Sequence, residues 1–146
     1  MENSLRNTPP DKKLTYGKGH FIVSYPSPYV LHLAAFGYGE AGLAHLVCKE
    51  MEEAGRRAGR PIVVYTDDRG LTGYEPAYRA AFESWLPNCW DFVASIHLLV
   101  DSALVELGMS VVSMKIGERG TYEMFRDFHE WHARYKEALL QAAAEK

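Results

Sequence analysis

The stretch 61–86, PIVVYTDDRGLTGYEPAYRAAFESWL, decides the fold. Its opening, PIVVYT, is a continuous run rich in β-branched residues, the pattern of a strand buried on both faces. DDRGLTGY (67–74) is acidic and glycine-rich and reads as a loop. Pro76 then opens a helix at a position where its missing N–H costs nothing. Tyr78, Ala81, Phe82 and Trp85 give that helix an apolar side, and Pro87–Asn88 end it. A doubly buried strand followed by a helix is a βα unit, and such units build parallel sheets.

Downstream, DFVASIHLLV (91–100) reads as a second buried strand. DSALVELG (101–108) reads as a short helix, capped by Asp101 or Ser102 and terminated by Gly108. MSVVSMKI (109–116) is predicted to be the last strand. A long helix is predicted from Thr121, with Met124, Phe128, Trp131, Tyr135 and Leu139 on one stripe.

Upstream, Leu43, Val47, Met51, Ala54 and Ala58 recur at helical spacing. Arg56 and Arg57 suit the last turn, and Gly59 and Pro61 stop the helix. HFIVSY (20–25) and YVLHLAAF (29–36) flank Pro26-Ser27-Pro28, which implies an antiparallel pair. Residues 1–18 are polar, carry Pro9 and Pro10, and read as a flexible N-terminal arm, leaving 19–146 as one domain. The order is β-β-α-β-α-β-α-β-α. It predicts a single-domain α/β protein with a mixed, mostly parallel sheet and an antiparallel edge strand.

The 146 residues suit one domain; 47% are hydrophobic and 24% charged, which is ordinary for a globular chain. A net charge of -3 supplies no basic footprint for nucleic acid or an anionic membrane. No apolar run approaches the roughly 20 residues that span a bilayer. The polar opening MENSLRNTPPDKK is not expected to act as a signal peptide. Two cysteines, Cys48 and Cys89, are too few for a disulfide framework or a zinc site, so a reducing, cytoplasmic setting is expected.

The order of elements, together with PIVVYTDDRGLTGYEPAYRAAFESWL and SIHLLVDSALVELGMSVVSMKIG (95–117), resembles STAS-like domains (sulfate transporter and anti-sigma-factor antagonist). The second stretch is similar to an uncharacterised bacterial subgroup. The resemblance covers the chain from about His20 onward. It implies a non-enzymatic signalling or scaffolding module. In the anti-sigma-factor antagonists, a Ser or Thr at the start of the helix after the third strand is phosphorylated by a partner kinase, within the pattern Asp-Ser-Ser/Thr-Gly. The matching stretch here is Tyr74-Glu75-Pro76-Ala77, which lacks that hydroxyl; Thr72 is the nearest aliphatic one.

Gly37, Gly39 and Gly42 have the spacing G-x-G-x-x-G, which cradles a dinucleotide pyrophosphate when it follows the first strand of a parallel unit. Here it follows the second strand of a hairpin. Glu40 puts a carboxylate where a phosphate belongs, and Asp67 and Asp68 lie too far on to serve the ribose. A turn leading into a helix is the expected role, and no cofactor is expected. Asp67 and Asp68 could offer hard oxygen ligands to Mg²⁺, but no third ligand is evident nearby and no metal is expected. His129 and His132 are three apart, where the zincin motif needs four. His132 is expected to be a half-buried packing residue. Ser95 and His97 share a strand face without a nucleophile turn or an identified carboxylate, so core packing with a local hydrogen bond is expected.

No catalytic residue is assigned. The expected function is a non-catalytic protein-interaction or regulatory module. Its contact surface is expected at Asp67, Asp68, Arg69, Thr72, Tyr74 and Glu75, with Gly37, Gly39 and Glu40 beside them at one end of the sheet. A protein partner that is basic at its contact is expected, because three carboxylates make that surface acidic. Homo-oligomerisation through the aromatic stripe of the last helix is a further expectation. The alternatives are a sensor of a nucleotide or apolar molecule, and a hydrolase or metal-dependent enzyme using Asp67, Asp68 and His97.

Overall fold

A computed structural model describes residues 8–113 and 120–145. Along them run β1 (Lys12–Tyr16), β2 (Gly19–Ser27), β3 (Val30–Gly39), α1 (Ala41–Ala58), β4 (Ile62–Tyr74), α2 (Pro76–Trp85), β5 (Val93–Leu99), α3 (Ala103–Ser113), β6 (Thr121–Phe125) and α4 (Phe128–Ala144). The strands lie in one sheet in chain order. β1, β2 and β3 are antiparallel, with Lys12 opposite Val23 and Val23 opposite Leu33. From β3 onward the pairing is parallel, and Leu33, Thr66, Leu98 and Met124 lie side by side across four strands.

Each parallel step needs a crossover, and crossovers of one hand advancing in one direction place their helices on one face. Accordingly Leu43 and Val47 of α1, Tyr78 of α2, and Val105 and Met109 of α3 share a core with Leu33, Val64 and Leu98. The other face is covered by α4, where Trp131 and Ala142 pack with Val30, Tyr65, Leu99 and Phe125. The sheet is therefore mostly parallel with antiparallel strands at one edge, as the βα alternation predicts.

Four expectations are corrected. Residues 12–16 of the supposed arm are a paired strand, β1, tied down by the Lys12–Glu50 ion pair at 2.7 Å; residues 1–7 lie outside the described residues. The supposed loop 67–74 is the second half of β4, still paired with β3 across two register shifts, with Gly70 opposite Phe36 and Gly73 opposite Tyr38. Gly108 stands inside α3 rather than after it. A Cβ there would lie 2.0 Å from the Tyr74 hydroxyl oxygen, so the glycine lets the helix approach that ring. Consequently 109–113 are helical, whereas 114–116 lie outside the described residues. Finally, 121–125 are β6 and the last helix begins at Phe128. Asp127 sets that start, its carboxylate accepting the His129 N–H at 2.9 Å.

Candidate functional site at the carboxyl ends of the parallel strands

Open α/β sheets place their sites beyond the carboxyl ends of the strands. Here β3 and β4 end together, with Gly37 beside Leu71, Tyr38 beside Gly73 and Gly39 beside Tyr74. The two segments expected to share one end of the sheet are thus brought together, as paired strands.

The three glycines are committed to the protein itself. Gly37 takes a left-handed φ of 80°, Gly39 lies under the Tyr78 ring and Gly42 under the Tyr16 ring. At the amino end of α1, Glu75 accepts the Ala41 N–H at 2.9 Å, and Glu40 accepts the Lys18 N–H at 3.3 Å. Glu75 is therefore a cross-chain cap for α1, which a local reading of the sequence misses. Tyr74 donates its hydroxyl to the Leu104 carbonyl at 3.1 Å, and Thr72 is exposed on β4.

The adjacent carboxylates part company because strand residues alternate between faces. Asp67 lies on the α4 side, where Arg69 grips it with two side-chain N–H groups at 2.9 and 2.8 Å. The same guanidinium lies 4.9 Å from the centre of the Phe128 ring. Asp68 lies on the helix-rich side, buried, and accepts the Thr66 hydroxyl at 2.7 Å. This corrects the expectation that Asp68 is a surface contact. Burial in apolar surroundings disfavours its charge and pushes its pKa up to about 7.

Asp68 borders a small cavity of about 40 Å³ between the sheet and the three helices, lined by Phe21, Leu33, Val64, Tyr78, Met109 and Tyr122 among others. On the opposite side, Ala35, Phe36, Asp67, Arg69, Gly70 and Asp101 frame an open hollow of about 290 Å³. Phe36 is 40% exposed and stacks on His20 at 5.0 Å, and Tyr38 is 38% exposed. Phe36 was missed because it closes the apolar run 29–36, whereas Tyr38 falls within the 37–42 segment expected to belong to the surface. Among the described residues, the start of α4 at Phe128 leaves both side chains partly exposed at the strand end.

Under α4 lies a second cluster. The His97 and Tyr65 rings stack at 4.4 Å, and the Trp131 indole N–H donates to the His97 carbonyl at 3.0 Å. His97 Nε2 is 2.9 Å from Ser95 Oγ, the local hydrogen bond that the sequence predicts. Its Nδ1 is 3.1 Å from Glu123 Oε1, approached off the hydrogen-bond axis, and Arg134 holds the same oxygen at 2.8 Å. Burial lowers the pKa of His97, against the pull of Glu123, and burial likewise lowers that of His32. His132 is half-buried and stacks on Phe128 at 5.1 Å. Cys48 and Cys89 are both buried and form no disulfide. Among the described residues no group of three His, Cys, Asp or Glu is placed to hold a metal ion, and no helix is long and apolar enough to cross a membrane.

The hairpin entry, the three parallel βα steps and the last helix on the opposite face define a SpoIIAA-like, that is STAS-like, fold. One solved structure that carries this likeness is an uncharacterised DUF3478-family protein with a SpoIIAA-like fold from Shewanella loihica PV-4. The two share a TM-score of 0.53 and 14% identity over 85% of this chain and 90% of that one, which shows the fold. No family model matches the chain, and no curated protein matches it.

Proposed function

We propose that the protein is a non-catalytic interaction module whose contact surface is the carboxyl end of β3 and β4. The observation that carries this reading is the exposure of Phe36 and Tyr38 on that strand end, with Phe36 rimming the hollow that holds the Asp67–Arg69 pair. An aromatic anchor inside a polar rim is the anatomy of an interaction hot spot. The acidity that pointed to a basic partner is spent within the protein: Asp68 is buried, Asp67 is neutralised by Arg69 and Glu75 binds the Ala41 N–H. The partner of this surface is therefore a protein presenting an apolar contact with a polar border. Glu75 and Pro76 occupy the helix start where the resemblance implies a phosphorylated hydroxyl, so the surface works without that switch.

Capture from the native host's lysate tests the reading. A partner held by the wild type and by Lys136→Ala, but lost with Phe36→Ser/Tyr38→Ser, supports it. Equal capture by all three proteins contradicts it.

The second reading, a sensor of an apolar small molecule, would need the cavity beside Asp68 to open, since its volume of about 40 Å³ is well below the roughly 300–1,000 Å³ of ligand pockets. A thermal-shift screen separates the two, since a ligand at about 100 times its Kd adds about 2.7 kcal/mol of stability.

A further inference from the structure

The sheet register builds a relay that the local sequence conceals. Ser95 and His97 are two apart on β5 and so share a face. Glu123 is the register neighbour of His97 on β6, which brings a carboxylate to Nδ1 while Ser95 Oγ stands at Nε2. The Glu123 charge, 3.1 Å from Nδ1 though off the hydrogen-bond axis, favours the tautomer protonated there, and that tautomer leaves Nε2 free to accept the serine proton, the order of groups that activates a nucleophile. Arg134 from α4 holds Glu123, and Tyr65 from β4 stacks flat on the imidazole, so the ring is braced from three elements.

We propose that Ser95 is an acyl-acceptor site, taking a short acyl group from a small activated donor such as an ester or acyl phosphate. Ser95 Oγ bonds to the acyl carbon and the bond from that carbon to the leaving group breaks. The hydroxyl proton passes to His97 Nε2 and from there to the departing group. A cleft of about 220 Å³ between α4 and the sheet reaches Val63 and Ala94, the register and chain neighbours of Ser95; Ala138 and Ala142 of α4 form part of its wall, and Gln141 with the Arg60–Glu145 ion pair forms its polar border. The wall formed by Val63, Ala94, Ala138 and Ala142 is small and apolar, which suits a short acyl chain. β5 is paired on both sides, so its N–H groups are engaged in the sheet and hold no oxyanion. The chemistry is therefore a single transfer that marks the protein, and it leaves the non-catalytic reading of the opposite strand ends intact.

Incubation of the intact protein with p-nitrophenyl acetate, followed by peptide mass mapping, tests the proposal. One acetyl group is expected on Ser95 and is absent in Ser95→Ala. Glu123 is partly exposed, and Glu123→Gln is expected to keep the near-ultraviolet circular dichroism while slowing acetylation at least tenfold; general-base assistance is worth about 10²–10⁴-fold. The rate is expected to rise with pH to a plateau whose midpoint lies below 6.5. That midpoint reports the neutral form of His97, which faces Glu123, Arg134 and Tyr65. Acetylation confined to lysines overturns the proposal, as does a Ser95 rate that Glu123→Gln leaves unchanged.

Discussion

On one face of the sheet α1, α2 and α3 close over aliphatic and aromatic side chains, with two acids buried there, Glu50 paired with Lys12 and Asp68 facing no cation among the described residues; on the other, α4 alone lays Trp131 and Tyr135 over Tyr65, His97 and His32. The same strands supply both faces, since alternate residues point to opposite sides. Burial therefore acts on opposite kinds of group. It raises the pKa of an acid on the helix-rich side and lowers those of two bases under α4. Each group is driven toward its neutral form, so the two faces respond to pH in opposite directions.

The largest effect expected under α4 is the loss of its anchor. Trp131 is 2% exposed and its N–H is bonded to His97, so Trp131→Ala should cost about 3–5 kcal/mol in denaturant melts. A shift below about 1 kcal/mol would mean that the sheet does not depend on this helix.

On the helix-rich side, the pKa of Asp68 is raised on folding, so the folded state holds its proton more tightly. Stability should then fall as pH rises from about 4 to about 7, by at most about 1.4 kcal/mol per pH unit, and level off above. Asp68→Asn should remove that descent and leave the protein more stable than wild type at pH 8. An unchanged slope would break the contrast between the faces. The histidines act with the opposite sign. Their folded pKa values are lowered, so their contribution is complete above about 6.5 and is lost as pH falls below it. In the Asp68→Asn background, melts across pH 7 to 5 should show this acid loss alone, and His32→Gln should make it shallower.

Smaller effects sharpen the comparison at the strand ends. Glu75→Ala removes the bond to the Ala41 N–H and should cost about 1 kcal/mol, the usual worth of a helix cap. Arg69→Ala breaks a pair in which the arginine is 41% exposed, and should cost less than about 1 kcal/mol.

The helix-rich face was the more legible in the sequence. The continuous run at 62–66, Pro76 opening α2 and Gly59 closing α1 are local signals, and each element formed where it was expected. The rest depends on contacts far apart in the chain. The glycines of 67–74 look like turn residues until β3 is seen pairing with them, and Gly108 looks like a stop until Tyr74 is seen against it. Strand alternation would have sent one of Asp67 and Asp68 inward, but only once the segment was read as strand. Glu123 could not be joined to Ser95 and His97 by any local pattern, because the parallel register between β5 and β6 brings it there. The aromatic stripe assigned to one helix was divided by Asp127, a cap that the 3.6-residue period obscured.

The opposition between the two faces rests on Asp68 being buried while its neighbour Asp67 is paired at the surface. Carbon-detected NMR titration of the aspartate carboxyls in the intact protein measures this directly. Asp68 should titrate at about 7, well above the ordinary 3.8, and Thr66→Val, which removes the hydroxyl donor to its charged form, should move it higher still. An Asp68 carboxyl that titrates near 3.8 would contradict the account.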